Sequence, residues 1–354
     1  MPDGRRPLVR FLVGLALGTA GVWVVVVTAG GVGDALQAVQ RMRVGLVAVA
    51  ALAAMVRLGL YGLQLLWLGR RSAPLGLRTA CGLAFVVFGL GAVTPAAPLE
   101  GLALAGRELR RRGQSRRQVV VTFGLSEWFA QRTFYAVASV DLVVVLLLGR
   151  LDPREWWPLL IIAALVFAAL AGTAALLRRP ASAEWVAVRL GALRLRRARS
   201  RESRRQAARG WHDQVMTTVG SRGHRALLAG VSTAAVLADA TTLWATAHAA
   251  GIPIQPDLAV LAATVGTVAS WVPLVPSGLG VVEAAIPATL HHFGAPLDDA
   301  VAATIVYRGA GTLLPALAGT LAIIALRTRR TPDADTHEAR PEVELNTGQE
   351  GSAS

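Results

Sequence analysis

Apolar runs alternate with short arginine-bearing polar segments along almost the whole chain. A hydrocarbon layer of roughly 30 Å takes about 20 helical residues. Counted against that length, uninterrupted apolar stretches predict spans over 9–28, 44–68, 79–93 with a broken continuation, 119–148, 157–177, 226–250, 258–290 with an internal break, and 297–326. The pattern therefore predicts an all-α polytopic membrane protein of about eight hydrophobic units. The first run is too long for the apolar core of a signal peptide, about 15 residues at most, and reads as an uncleaved anchor.

Two of the runs are interrupted in the same manner, by Pro95-Ala-Ala-Pro98-Leu-Glu100 and by Pro273-Leu-Val-Pro276-Ser-Gly278-Leu-Gly280-Val-Val-Glu283. A proline removes a backbone hydrogen bond, and non-helical backbone at bilayer depth survives only against protein or a water-filled cavity. Each break also places a carboxylate in an apolar setting. Breaks at corresponding positions of two halves point to a transporter-like site between internal repeats.

Arginine placement orients the spans, because positively charged short loops stay in the cytoplasm. Arg5, Arg6 and Arg10 mark the N-terminus as inside, as do Arg70, Arg71 and Arg78, the group from Arg107 to Arg117, and the segment 178–225. The 251–257 and 291–299 loops carry no arginine and fall outside. Alternation then requires both broken units to be re-entrant hairpins of opposite sense, an inverted repeat with halves of about 44–148 and 226–326. The scheme leaves Arg41 and Arg43 on the outer side. Residues 1–330 make one transmembrane domain and 331–354, acidic and polar, a disordered cytoplasmic tail. The expected location is the plasma membrane, multi-pass, with both termini cytoplasmic.

Composition agrees, with 54% hydrophobic residues and a mean hydropathy of +0.50 over 354 residues. The net charge of +14 is carried by arginine, since the chain has no lysine, and arginine is the better phosphate binder. Cys81 is the single cysteine, which excludes an internal disulfide. His248, His291 and His292 lie at span ends without the further ligands a metal needs. Trp67, Trp156, Trp157 and Trp271 fit interfacial belts. Segment 178–225 holds thirteen arginines; around Trp185, Leu190 and Leu193 the spacing is either that of a helix on anionic headgroups or that of a plain positive-inside loop. No nucleic-acid reading module is present, and neither a metal nor a cofactor is expected.

Arg57, Arg132, Asp239 and Arg308 fall near the middle of their runs, with Glu127 and Asp141 nearer the ends. A charge at the bilayer centre costs at least about 2.5–3.5 kcal/mol, so such groups face the protein interior or a solvated path. Two readings stay open: Arg57 and Arg132 pair with Glu100 or Glu127 to lock helices together, or the central arginines contact substrate. Glu127 and Arg132, five apart, face away from each other, which puts their partners on other helices. Asp141 reads as a group that snorkels outward.

The run from Val272 to Ala284, followed by Gly294-Ala-Pro-Leu-Asp-Asp-Ala-Val-Ala-Ala-Thr-Ile-Val-Tyr-Arg308, Leu314-Pro315 and Gly319, resembles the lysylphosphatidylglycerol synthase transmembrane-region family of flippase-like proteins. Arg57, Trp67, Thr94-Pro95, Glu100-Gly101, Arg110 and Gly113 are similar to the first half of that family. One departure is local: Ala96, Ala97, Pro98 and Leu99 stand where the family usually has a Gly-rich turn. The resemblance spans about 8–326 and implies movement of an aminoacylated or other anionic phospholipid, or of a lipid-linked glycan, between leaflets. The soluble aminoacyltransferase domain of full synthases is not expected after Arg330.

The expected activity is that of a flippase-like transporter, not an enzyme, with anionic membrane lipids as partners and a lipid-modifying enzyme supplied as a separate chain. Arg57, Arg132 and Arg308 would hold a phosphate, with Glu100, Asp239 and Glu283 balancing them and Pro276, Gly278 and Gly280 shaping the second hairpin. A membrane enzyme is the alternative. Against it, Ser221-Arg-Gly-His224 matches a lipid-phosphatase signature only superficially, the first outer loop offers only Asp34 as an acid, and no His-Glu-x-x-His helix occurs. An accessory subunit of lipid-linked glycan assembly is the third reading.

Overall fold

The computed structural model describes residues 37–72, 74–93, 97–151, 201–271, 278, 280–315, 317–319 and 321, with isolated positions 164, 168 and 172. The expected span 9–28, nearly all of the expected span 157–177, the arginine-rich stretch around Trp185, the tail 331–354, and the breaks at Pro95 and at Pro273 and Pro276 lie outside them. Among the described residues there is no strand.

Three of the described helices are long and apolar enough to cross a membrane: α1 (Val44–Gly69), α4 (Arg116–Leu147) and α6 (Arg222–Ala249). Each runs about 39–48 Å at 1.5 Å per residue. Between α1 and α4 lie α2 (Leu77–Val93) and α3 (Ala97–Arg111). After α5 (Arg201–Val219) and α6 come α7 (Pro256–Ala269), α8 (Val281–His292) and α9 (Leu297–Arg308), which continues into a π-turn at Gly309–Leu313. The paired short helices have 17 and 15 residues in the first half and 14 and 12 in the second. At about 18–26 Å, none crosses the hydrocarbon alone.

Hydrogen bonds at the helix ends define the topology. Gln114, after α3, donates to the Gly69 carbonyl at the end of α1 at 3.2 Å, and Arg71 donates to the Thr217 carbonyl at 2.8 Å. One end of the molecule therefore gathers the end of α1, both outer ends of the α2–α3 hairpin, and the start of α6. At the opposite end the Arg43 N–H donates to the Ala249 carbonyl at 3.1 Å, so α1 and α6 run antiparallel. Arg150, after α4, binds Asp257 in the first turn of α7 at 2.8 Å. Arg41 and Arg43 share a polar recess there with Asp298 and Asp299 of α9, which gives those two arginines a compensated setting. The α7–α8 hairpin thus begins and ends at the second end. The two hairpins open from opposite ends of the bundle, as the inverted repeat requires.

Local sequence explains the boundaries. Ser115 and Gln118 form a reciprocal capping box at the start of α4, with bonds of 2.7 and 3.2 Å. Pro256 occupies the first turn of α7, where its missing N–H is harmless. Gly280, at φ 81°, turns the chain into α8. The hairpin arms touch through glycine: a Cβ on Gly101 would lie 2.9 Å from Val87 Cα, and one on Gly266 2.6 Å from Ile286 Cδ1.

Segment 178–225, read as a basic loop, contains α5 and the start of α6. Val215 and Val219 of α5 pack in a buried cluster with Leu68, Val121, Leu125 and Leu228. The arginines of α5 masked this apolar face in the sequence. Ser221 and His224, weighed as a phosphatase-like signature, instead cap α6, with Ser221 Oγ accepting from the His224 N–H at 3.3 Å.

Candidate functional site

Four charges from four helices converge beside the second hairpin. Arg57 of α1 lies 3.4 Å from Asp239 of α6, and the Tyr307 hydroxyl of α9 donates to the other Asp239 oxygen at 3.0 Å. On α8, Glu283 accepts from Arg308 Nε of α9 at 2.8 Å and, through its second oxygen, from the Gly280 N–H at 2.7 Å. Glu283 therefore ends one helix properly and ties it to the next.

The π-turn after Arg308 brings Gly311 into this arrangement. Its wider winding, set in a Gly-Ala-Gly sequence, directs the Gly311 carbonyl toward Arg57, whose terminal nitrogen lies 3.5 Å away. Both Arg57 contacts are at the long end of hydrogen-bonding range. Its Nε is buried and has no acceptor. Buried guanidinium nitrogens are seldom left so, and the Arg57 side chain as a whole lines two adjoining cavities.

The larger cavity, about 200 Å³, lies between α1, α4, α6 and α7. Leu58, Phe88, Phe134 and Trp271 form its apolar wall, with Glu127, Gln131, Arg57 and Asp239 supplying polar groups. The smaller, about 150 Å³, is bounded by Arg57, Asp239, Thr267, Ser270, Tyr307 and Arg308. The Arg57–Asp239 pair is common to both. Side chains of the two ion pairs keep 12–27% of their surface exposed, so the charges line open space instead of being sealed in the core.

Arg57, Asp239, Glu283 and Arg308 are thus brought together, with Gly280 as the cap donor. Gly278, at φ 64°, holds the hairpin close: a Cβ there would lie 2.6 Å from Ser270 Cα. Pro276 lies outside the described residues, and Glu100 falls near the start of α3 with its side chain also outside them. Arg132 is not part of the cluster. It sits on an exposed face of α4 with its guanidinium 5.2 Å from the Trp128 ring.

Several expectations are corrected. Arg57 pairs with Asp239, not with Glu127, because α1 packs along α6. Glu127 and Arg132 do face apart, yet their contacts are on their own helix, Gln131 at 2.7 Å for Glu127 and Trp128 for Arg132. Trp271 packs edge-on against Phe134 and Tyr135 in the cavity wall. Asp141 does not snorkel; it is buried, 8% exposed, with Oδ2 unpartnered.

Tyr307, Gly311, Glu127 and Gln131 were not singled out as site residues from sequence. The adjacency of Tyr307 to Arg308, the glycines after them, and the i, i+4 spacing of Glu127 and Gln131 were the available signals.

The family model for the lysylphosphatidylglycerol synthase TM region matches residues 11–319. No curated protein matches the chain.

Proposed function

Because the chain belongs to the lysylphosphatidylglycerol synthase TM region family, a family of multi-pass membrane proteins of lipid metabolism or transport, we propose that it moves a phospholipid or lipid-linked glycan between leaflets. The headgroup enters the cavities beside the second hairpin while the acyl chains stay in lipid. On this reading the arginine-rich end, with Arg70, Arg71, Arg78 and Arg110, faces the cytoplasm of a plasma membrane, and both termini are expected on that side.

The observation that carries this reading is the Arg57 guanidinium, whose terminal nitrogens are loosely held by Asp239 at 3.4 Å and by the Gly311 carbonyl at 3.5 Å and whose side chain lines both cavities. An anionic oxygen arriving there would gain a charge-assisted bond without breaking a tight one. Arg308 supplies a second cation. Both arginines already have carboxylate partners, so a bare anion meets a site of balanced charge. A headgroup carrying both signs fits better: its phosphate takes Arg57, and its ammonium takes Asp239 or Glu127. This favours an aminoacylated phospholipid over a simple anionic one. A lipid-modifying enzyme on a separate chain would supply it.

Arg57 belongs to the first half, whereas Asp239 and Gly311 belong to the second. Exchange of Arg57 from Asp239 to a phosphate therefore loosens a contact between the halves, which links headgroup binding to their relative movement. The test is transbilayer movement in reconstituted vesicles, comparing aminoacylated with unmodified phosphatidylglycerol. Faster movement of the aminoacylated lipid, lost in Arg57→Ala, is expected. Equal rates for both lipids would remove the headgroup assignment, and no protein-dependent movement would remove the transport reading.

A further inference from the structure

Away from the headgroup site, the far end of α4 holds a buried carboxylate that the transport reading does not use. Asp141 is 8% exposed, and its Oδ2 has neither solvent nor, among the described residues, a hydrogen-bond partner. It lies within electrostatic range of Asp257, in the first turn of α7. Asp257 already has a counter-charge, since Arg150 Nη1 donates to its Oδ1 at 2.9 Å and lies 2.8 Å from its Oδ2, although Oδ2 accepts no hydrogen bond of its own. Of the elements packed on α4, which are α1, α3, α5, α6 and α7, the described charged group that interacts with Asp141 is Asp257; Arg150, past the end of α4, is committed to it.

Among the described residues, two carboxylates and one arginine leave this corner one negative charge in excess, in an apolar run flanked by Val140, Leu142 and Val143. An uncompensated buried carboxylate is expensive, and in practice such a group neutralises. One monovalent cation restores balance. A metal cation such as sodium demands several oxygen ligands, whereas a proton needs a single oxygen, and of the two carboxylates it is Asp141 that has no arginine beside it to hold its charge.

We propose that Asp141, opposed by Asp257 and Arg150, is a proton-binding site of this protein. With the proton on, Asp141 is neutral and α4 packs closely against the start of α7. With the proton released, two like charges face each other across that contact and push α7 away. Because α7 also carries Val260, Ala263, Thr264 and Thr267 to the cavity wall, this movement reaches the headgroup site. That last step rests on the transport reading; the proton site itself does not.

The test is infrared difference spectroscopy of the full-length protein in lipid nanodiscs during a pH titration, with a parallel sodium titration at fixed pH. The carbonyl stretch of a protonated carboxylic acid is expected at neutral pH in the unaltered protein, absent in Asp141→Asn and retained in Asp239→Asn. Asp141→Asn should also keep the thermal midpoint of the parent, since an amide mimics the neutral acid. A band unchanged in Asp141→Asn, or a signal that follows sodium instead of pH, would overturn the site. So would an Asp141→Asn protein that fails to fold while Asp141→Glu folds normally, because the charge would then be structural. In vesicles, lipid movement by Asp141→Asn should lose its response to an imposed pH gradient; no lipid movement by any variant would count against transport and leave the infrared result standing.

Discussion

Arg308 donates its Nε to one oxygen of Glu283 at 2.8 Å, while the other oxygen of that carboxylate caps the helix that carries it. One side chain thereby fixes the start of α8 and binds it to α9, at the point where the hairpin emerges from its break. Removing either partner disturbs both local structure and the charge balance of the site.

Arg308→Ala should lower both transport and stability, since it strands Glu283. Unpairing a sealed buried charge costs about 3–5 kcal/mol; a pair that keeps some exposure to a cavity should lose less. The double variant Arg308→Ala, Glu283→Gln should recover most of the thermal midpoint in detergent without recovering lipid movement. Recovery of both would make Arg308 a purely structural residue.

Asp239→Asn removes the carboxylate that opposes Arg57 and accepts from Tyr307. Arg57 then keeps only neutral acceptors, the new amide oxygen and the Gly311 carbonyl at 3.5 Å, and an anionic headgroup meets no competing charge. The expected outcome is more co-purifying anionic lipid by native mass spectrometry, together with slower turnover. Less bound lipid than in the parent would contradict the role given to Arg57.

The second hairpin should be sensitive to glycine replacement in a graded way. At Gly278 the added methyl would press on the Ser270 backbone at 2.6 Å, and φ is 64°, so strain cannot be relieved by a side-chain rotation. At Gly266 the obstacle is the tip of Ile286, which can rotate. Gly278→Ala should therefore cost about 1–3 kcal/mol and Gly266→Ala less, measured as thermal midpoints. The reverse order would mean that the hairpin arms are not closely packed.

Topology is tested by impermeant thiol labelling in a Cys81→Ser background. Gln114 is 3% exposed and bonded to Gly69, so the neighbouring exposed Arg111 is the better inner probe, with His292 as the outer one. Arg111→Cys should label from the cytoplasmic side and His292→Cys from outside. Labelling of both from one side would contradict hairpins that open in opposite directions.

The sequence made the opposed hairpins visible because proline, glycine and a carboxylate interrupt otherwise continuous apolar runs, and it marked Arg57, Asp239, Glu283 and Arg308 because charges at that depth need a reason. It could not say which carboxylate meets which arginine. That depends on α1 packing along α6, a contact between halves that local spacing does not encode. The burial of Asp141 was hidden for a related reason: an aspartate near a helix end reads as able to reach water until the start of α7 is seen against it. In α5, the density of arginine obscured Val215 and Val219, which face the core.

The most direct measurement of the central claim follows one chemically defined aminoacylated phospholipid in sealed vesicles containing the purified protein, with mass spectrometry of the lipid afterwards. The account predicts protein-dependent appearance of that lipid in the opposite leaflet, chemically unaltered, and its loss in Arg57→Ala protein that remains folded. Absence of movement, or a covalent change in the lipid that depends on the protein, would contradict it.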